Sequence, residues 1–398
     1  MMKKHNIRFL RFIFISLLTL VLSACGGGTG DTTGPAIPTS GIAGDGQLDY
    51  IVESIRQRHK LPALAAITIR NGQIIEKSAM GYRSDGVNIP VSVNDQWHIG
   101  SITKSMTSLL AALLVRDGFI EWTSTLSNIF PELVGTMRPE YADVRLDELL
   151  SHTSGLPLVI PNSFLYYTDT RSLPEQCQEV VNNVLALPST TTRGVFEYSN
   201  VGYIIAGAML ERVTGSDWES LIQDYLFTPL VMTQAGFGAP DTQGRLSQPV
   251  GHSLLSSGIW DPWDPSVTLL ADNPAVFGPA GTVHASLDDM AAYLGLHLRG
   301  LRGETVTGFL TGQEFAKLYT PFPSSTYALG WGVSNFYITH DGSNTLWLAR
   351  AHVNKNKNAA MFIVTNAMDD INDPNGRSAS AVNELLLELH ARFDAAFL

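Results

Sequence analysis

The chain is 398 residues long, 44% hydrophobic and 16% charged, which supplies enough apolar material for a large packed core and rules out a mostly disordered chain. Its 26 Lys+Arg stand against 37 Asp+Glu, a net charge of −11. No Lys/Arg run is present to displace counterions from phosphates, so nucleic acid is excluded as a partner, and two cysteines exclude a disulfide framework.

Residues 1–24 hold four cations (Lys3, Lys4, Arg8, Arg11) and no acid. The apolar run Phe12–Leu22 is shorter than the roughly 20 residues that span a bilayer and fits the core of a signal peptide. Leu22-Ser23-Ala24-Cys25 then resembles the lipobox of bacterial lipoproteins, whose cysteine is acylated and becomes the new N-terminus. The alternative is an ordinary secretory signal followed by a chance cysteine. The lipobox implies an exported protein anchored to a membrane through lipid on Cys25 and facing the periplasm. Gly26, in place of the Asp of an inner-membrane retention signal, leans toward the outer membrane. Residues 25–46, rich in Gly, Thr and Pro, read as a flexible tether. Losing four cations and no acid leaves 22 Lys+Arg against 37 Asp+Glu, so the mature body is more acidic than the whole chain. With Cys25 lipidated, Cys177 has no partner and is expected to be a buried thiol.

The remainder, 47–398, reads as one domain. Leu48, Ile51 and Ile55 give Gln47–Lys60 helical spacing. Ala65–Arg70 and Gln73–Met80 flank Asn71-Gly72, a two-residue hairpin signal because both turn residues tolerate positive φ. Ser101–Val115 is predicted to be a helix, and 140–230 to be largely helical, with Gly202–Val213 its most apolar piece. Residues 235–280 are expected to form long loops. A helix follows at Asp288–Leu298, strand-like runs return between Ala328 and Ala367, and Arg377–Phe397 is an amphipathic helix. Strands at both ends with helices between them predict an α/β fold of the α+β kind. In it, one antiparallel sheet is built from N- and C-terminal strands, flanked by terminal helices, with an inserted helical region.

Gly-x-Ser-x-Gly, His-Glu-x-x-His and Cys/His clusters are all missing from the sequence, which leaves no sequence case for a metal or cofactor. Ser101-Ile102-Thr103-Lys104 carries a nucleophile and an amine on one helical face. Serine needs a base, and lysine serves only if burial or a nearby cation lowers its pKa well below about 10.4. With eight lysines in the chain, roughly one Ser-x-x-Lys arises by chance, so the pair alone is weak. Tyr198-Ser199-Asn200 is the single Tyr-x-Asn of the sequence; its phenol can shuttle a proton and its amide can hold Lys104 and a substrate carbonyl. His340-Asp341-Gly342-Ser343 lies between two strand-like runs, where Gly342 would let a substrate approach and the next N–H could point at an oxyanion. A hairpin turn is an equally good reading of that segment. His98-Ile99-Gly100 also fits His-x-Gly, and only order and strand context select His340.

Five segments in order resemble the penicillin-recognising serine hydrolases, the family of class C β-lactamases, DD-peptidases and related esterases and amidases. They are Trp97–Ser105, Leu149–Leu156 (LLSHTSGL), Phe196–Asn200, Pro279-Ala280-Gly281 and Leu329-Gly330-Trp331-Gly332. The likeness runs from about Leu48 to the C-terminus. It implies Ser101 as an acylated nucleophile, Lys104 as its base, Tyr198 as proton relay and Asn200 as a substrate-positioning amide. The N–H groups of Ser101 and Ser343 would form the oxyanion hole, while His152 and Ser154 would fix loops. One departure matters: efficient β-lactamases of this type carry Lys-Thr-Gly where this chain has His340-Asp341-Gly342. A histidine near pKa 6.5 is mostly neutral at pH 7 and does not supply the ammonium that binds a substrate carboxylate. The expected activity is hydrolysis of a small ester or amide, with weak or no β-lactam turnover. A DD-carboxypeptidase acting on cell-wall peptides stays open, as does a binder that acylates without releasing product. Trp260, Asp261 and Trp263 either wall a pocket or form a satellite of the core.

Overall fold

The computed structural model describes residues 43–395, except 242, 243, 245, 324 and 371. The signal segment 1–24, Cys25 and most of the tether lie outside the described residues. The last tether residues do not behave as tether: Ala43 N–H donates to Arg392 O, Gly44 N–H donates to Glu76 Oε2 at 3.0 Å, and Asp45 pairs with Arg392 at 2.7 Å. The buried Arg392 guanidinium draws one of its two counter-charges, Asp45, from this segment, so the folded body already includes Ala43 rather than starting at 47.

The main sheet has six strands: β1 (Ala63–Arg70), β2 (Gln73–Gly81), β3 (Gly332–Val333), β4 (Tyr337–Ser343), β5 (Leu348–Asn354) and β6 (Ala359–Thr365). Their order is β2-β1-β6-β5-β4-β3, with every neighbour antiparallel. Asn71 (φ 52) and Gly72 (φ 75) make the predicted tight turn between β1 and β2. β1 then pairs with β6 (Ala65 opposite Val364), so the sheet does combine the two ends of the chain.

Both faces of the sheet are covered, which explains why β1 and β6 read as continuous apolar runs. Leu64, Ala66, Met361 and Ile363 face α1 (Leu48–His59) and α6 (Arg377–Ala395), whose Ile51, Val52, Ile55, Val382, Leu385 and Leu389 recur at helical spacing. The alternate residues Ala65, Ile67, Phe362 and Val364 belong to the larger core. That core holds α2 (Thr103–Arg116), α3 (Leu173–Ala186), α4 (Asn200–Thr214) and α5 (Leu287–Leu301). Cys177 is buried on α3 and is a free thiol, as expected.

The region 140–230 is less continuously helical than predicted. Irregular stretches at 151–162 and 187–199 separate its helices, because they carry loops to the site. Residues 235–280 hold short strands, including the antiparallel pair Gly251–Leu254 and Trp260–Trp263. Trp260 is buried in the terminal-helix core and donates to Lys60 O, while Trp263 Nε1 donates to Ser253 Oγ. Both tryptophans therefore serve packing rather than a pocket wall, and Asp261 lies opposite Ser253 between them. Among the described residues no helix is long and apolar enough to cross a membrane.

Candidate active site

Ser101 sits in a single 3-10 turn, Gly100–Ile102, that leads directly into α2. The turn packs against β4 at a distance only two glycines allow. A Cβ on Gly100 (φ +51) would fall 2.3 Å from Ser343 N, and one on Gly342 would fall 1.9 Å from the Ile99 carbonyl oxygen. Gly342 thus makes room for the nucleophile turn rather than for substrate. His340–Ser343 is also not a hairpin turn. It is the end of β4, paired residue by residue with β5 from Ala351 to Leu348. The turn comes after it, with Thr345 at φ 77.

The ladder sets where Ser343 points. Lys355 N–H donates to Phe336 O, and bonded pairs recur at every second residue of an antiparallel ladder. Ser343, opposite Leu348, therefore falls in a non-bonded pair, with its N–H turned away from β5. On that side β3 has ended, since its pairing reaches only Thr339, and the nucleophile turn takes its place. Ser343 N is so brought against the turn that carries Ser101, 2.3 Å from where a Cβ on Gly100 would fall.

Lys104, one turn along the helix from Ser101, is completely buried. Its Nζ lies 3.0 Å from Ser101 Oγ, 2.7 Å from Asn200 Oδ1 and 2.7 Å from the Ala280 carbonyl oxygen. None of these neighbours is a carboxylate, so burial pushes the amine well below its ordinary value. A neutral amine has two N–H bonds and one lone pair. The two pure acceptors, Asn200 and Ala280, take the N–H bonds, which leaves the lone pair for the Ser101 hydroxyl.

Tyr198 moves the opposite way. Burial raises its phenol far above the ordinary value, and its hydrogen bond with Ser101 offsets only part of that. The phenol is therefore held toward its protonated form and the amine toward its neutral one. Lys104 Nζ also lies 5.0 Å from the centre of the Tyr198 ring. His152 stacks on that ring at 4.3 Å between centroids. Its Nδ1 accepts from Ser199 N–H at 3.1 Å, and its carbonyl accepts from Glu197 N–H. Burial pushes the imidazole well below its usual range. His152 is thus a neutral brace for the Tyr198 loop, as expected, and Ser154 Oγ accepts from Leu156 N–H beside it.

His340 comes to the same cluster, with its ring 6.4 Å from that of Tyr198. Both of its nitrogens are engaged. Nδ1 faces the Asp341 carbonyl oxygen and so carries the proton, and Nε2 accepts from the Tyr327 hydroxyl at 2.9 Å. Burial above all lowers its pKa to about 4. Asp341, the next residue along the strand, turns to the other face and pairs with Arg350 at 2.6 Å. Among the described residues of this cluster, Lys104 is the amine at Ser101, and Arg350 is engaged with Asp341 on the other face.

Tyr327 is a member of the site that motif reasoning missed. Its ring lies 4.8 Å from His152 and 6.1 Å from Tyr198, yet in the sequence it is one tyrosine of twelve, with no neighbour to mark it. The Ala280 carbonyl was quoted only as part of Pro279-Ala280-Gly281; its function as a lysine acceptor is visible only in three dimensions.

Residues 48–383 match the sequence profile of the Beta-lactamase family. Protein flp of Staphylococcus aureus (strain MW2) is 23% identical over 211 residues, 53% of this chain and 42% of that protein, so the match spans less than half of the relative. Among solved structures, the octameric penicillin-binding protein homologue from Pyrococcus abyssi superposes with a TM-score of 0.67 at 22% identity, covering 86% of this chain and 77% of that one. D-amino acid amidase from Ochrobactrum anthropi SV3 superposes with a TM-score of 0.69 at 19% identity, covering 88% and 99%. The chain belongs to the beta-lactamase family and has the β-lactamase/transpeptidase-like fold.

Proposed function

We propose that the protein cleaves a small, uncharged ester or amide through an acyl-enzyme on Ser101. The observation that carries this reading is Lys104, a buried amine with no counter-ion among its three polar neighbours and its free direction on Ser101 Oγ. Lys104 takes the hydroxyl proton as Oγ attacks the carbonyl carbon. The oxyanion that forms meets the N–H groups of Ser101 and Ser343, each such donor contributing about 10²–10³ in rate. The protonated phenol of Tyr198 hands a proton to the leaving alcohol or amine and is replenished from Lys104. Water then attacks the acyl-enzyme by the same relay in reverse. Asn200 holds Lys104 with its amide oxygen and leaves its NH₂ for the substrate.

The preference for an uncharged substrate rests on His340, which is neutral, has both nitrogens occupied and offers a carboxylate nothing. That argues against an efficient β-lactamase and against a DD-carboxypeptidase, whose substrates end in carboxylates. A panel of a short chromogenic ester, a D-Ala-D-Ala peptide and a chromogenic cephalosporin tests this. Turnover is expected on the ester and little on the other two; a faster cephalosporin reaction would overturn the preference. Mass spectrometry of the ester reaction separates enzyme from binder, since acylation that persists without product is the signature of a sensor. Full turnover by Ser101→Ala would remove the catalytic assignment altogether. We also propose lipid anchoring at Cys25, supported by the sequence Leu22–Cys25. In cells fed an alkyne fatty acid, Cys25→Ser should abolish labelling and release the protein from membranes.

A further inference from the structure

His98 and Asp272 lie outside the relay just described, yet they tie its two oxyanion donors together. His98 is fully buried three residues before the nucleophile, and its Nδ1 accepts from Gly100 N–H at 3.1 Å. An imidazole that accepts at Nδ1 carries its proton on Nε2, and Nε2 lies 2.9 Å from Asp272 Oδ1, a close polar contact rather than an aligned hydrogen bond. The same Oδ1 accepts from Asn344 Nδ2 at 3.1 Å and from Asn273 N–H at 2.7 Å. Asn344 directly follows Ser343, and its Oδ1 accepts from Leu346 N–H to shape the turn after β4. One carboxylate oxygen thus reaches the nucleophile turn through His98 and the oxyanion strand through Asn344.

These contacts matter because nothing covalent links the two donors. Ser101 N–H is on a 3-10 turn and Ser343 N–H is at the free end of a strand, more than two hundred residues away in sequence. An oxyanion gains from both only if their separation is held to a fraction of an ångström. The glycine contact between Gly100 and Ser343 limits how close the two segments come. It does not stop them from sliding or parting. Asp272 supplies that restraint from the buried side, with Trp347 packed beside the His98 ring at 6.5 Å.

We infer that Asp272 is a positioning residue that, through His98 and Asn344, clamps the nucleophile turn to the oxyanion strand. The inference rests on the hydrolase reading above for its kinetic consequence, but not for the clamp itself. Asp272→Ala should slow fluorophosphonate labelling of Ser101, and kcat on the chromogenic ester, by about 10–100-fold, with KM within about threefold. Asp272→Asn, whose carbonyl oxygen can take the place of Oδ1 beside His98 and Asn344, should return to within about threefold of wild type. Because His98 and Asp272 act as one unit, the double variant Asp272→Ala/His98→Ala should be no slower than the slower single variant.

Wild-type rates in Asp272→Ala, additive single effects, or an Asn variant as slow as the Ala variant would each overturn the inference. Should Asp272→Ala lose its cooperative unfolding transition, His98→Ala and Asp272→Asn carry the same comparison. If the wild-type protein takes no label and turns over no ester, the hydrolase reading falls, and the clamp is judged by amide hydrogen exchange. Segments 96–103 and 340–346 should then exchange faster together in Asp272→Ala or His98→Ala. Faster exchange in one segment only, or in neither, would sink it.

Discussion

The two faces of the six-stranded sheet treat charge in opposite ways. On the terminal-helix face, charges are neutralised where they meet the core. The Arg392 guanidinium is shared by Asp45 and Glu76, and Arg350 takes Asp341. On the catalytic face Lys104 is buried without any acid among its hydrogen-bond partners. Pairing fixes a charge in place; isolation suppresses it. The first face uses charge to close a seam, and the second disfavours charge on an amine that lies beside Ser101. His340 and Asp341 show the division within one dipeptide, since successive strand residues face opposite sides: the imidazole joins the Tyr198 and Tyr327 cluster and the carboxylate joins the seam.

Lys104→Met offers the sharpest test of this division. It should lower kcat by about 10³-fold or more while leaving a cooperative thermal transition, as expected for loss of a general base. Retained turnover would mean that the isolated amine is not the base. Tyr198→Phe follows, with an expected loss of about 10²–10³ in kcat and less in KM. The opposite face should respond in stability instead. Leu385→Ala removes a fully buried side chain of α6 and should cost about 2–5 kcal/mol in denaturant unfolding with kcat unchanged at a temperature where the variant is folded. A matching fall in kcat would show that the faces are not independent.

The smallest effect concerns acid, to which both faces contribute. Burial lowers His297 to about 3, His340 to about 4, His352 to about 3 and His390 to about 4. These groups stay neutral in the fold and take up protons near 6.5 once unfolded, so the native state binds fewer protons between those values. Their contribution to stability is complete above about pH 6.5 and is lost as pH falls toward about 4. The melting temperature should therefore drop across that window, and His352→Phe should blunt the drop. Activity should fall with pH for a separate reason, because protonated Lys104 cannot act as base.

Much of this division was legible in the residues themselves. Asn71-Gly72 marked the first hairpin, and Ser101, Lys104, Tyr198 and Asn200 were named from types and spacing, and the structure brings them within reach of one another. What stayed hidden depends on approach between distant segments. His340–Ser343 could be read as a turn because Gly342 is common in turns; only the nucleophile turn packed against it explains a glycine within a strand. Tyr327 and Asp272 carry no local signal, because each acts through partners that the fold delivers. The state of Lys104 was conditional in sequence, since whether an amine loses its charge depends on what surrounds it.

The pairing of β1 with β6 also bears on how the protein is made. These central strands are adjacent in space but separated by nearly the whole domain in sequence, with Ala65 opposite Val364. During synthesis the first hairpin emerges with its inner edge open, and the strand that will cover it is among the last to appear. Long-range pairing of this kind slows folding. Ser343, too, arrives long after Ser101, so a growing chain carries its nucleophile without an oxyanion hole. Such a chain is slow to close, because its central sheet is completed only when nearly the whole domain has been made.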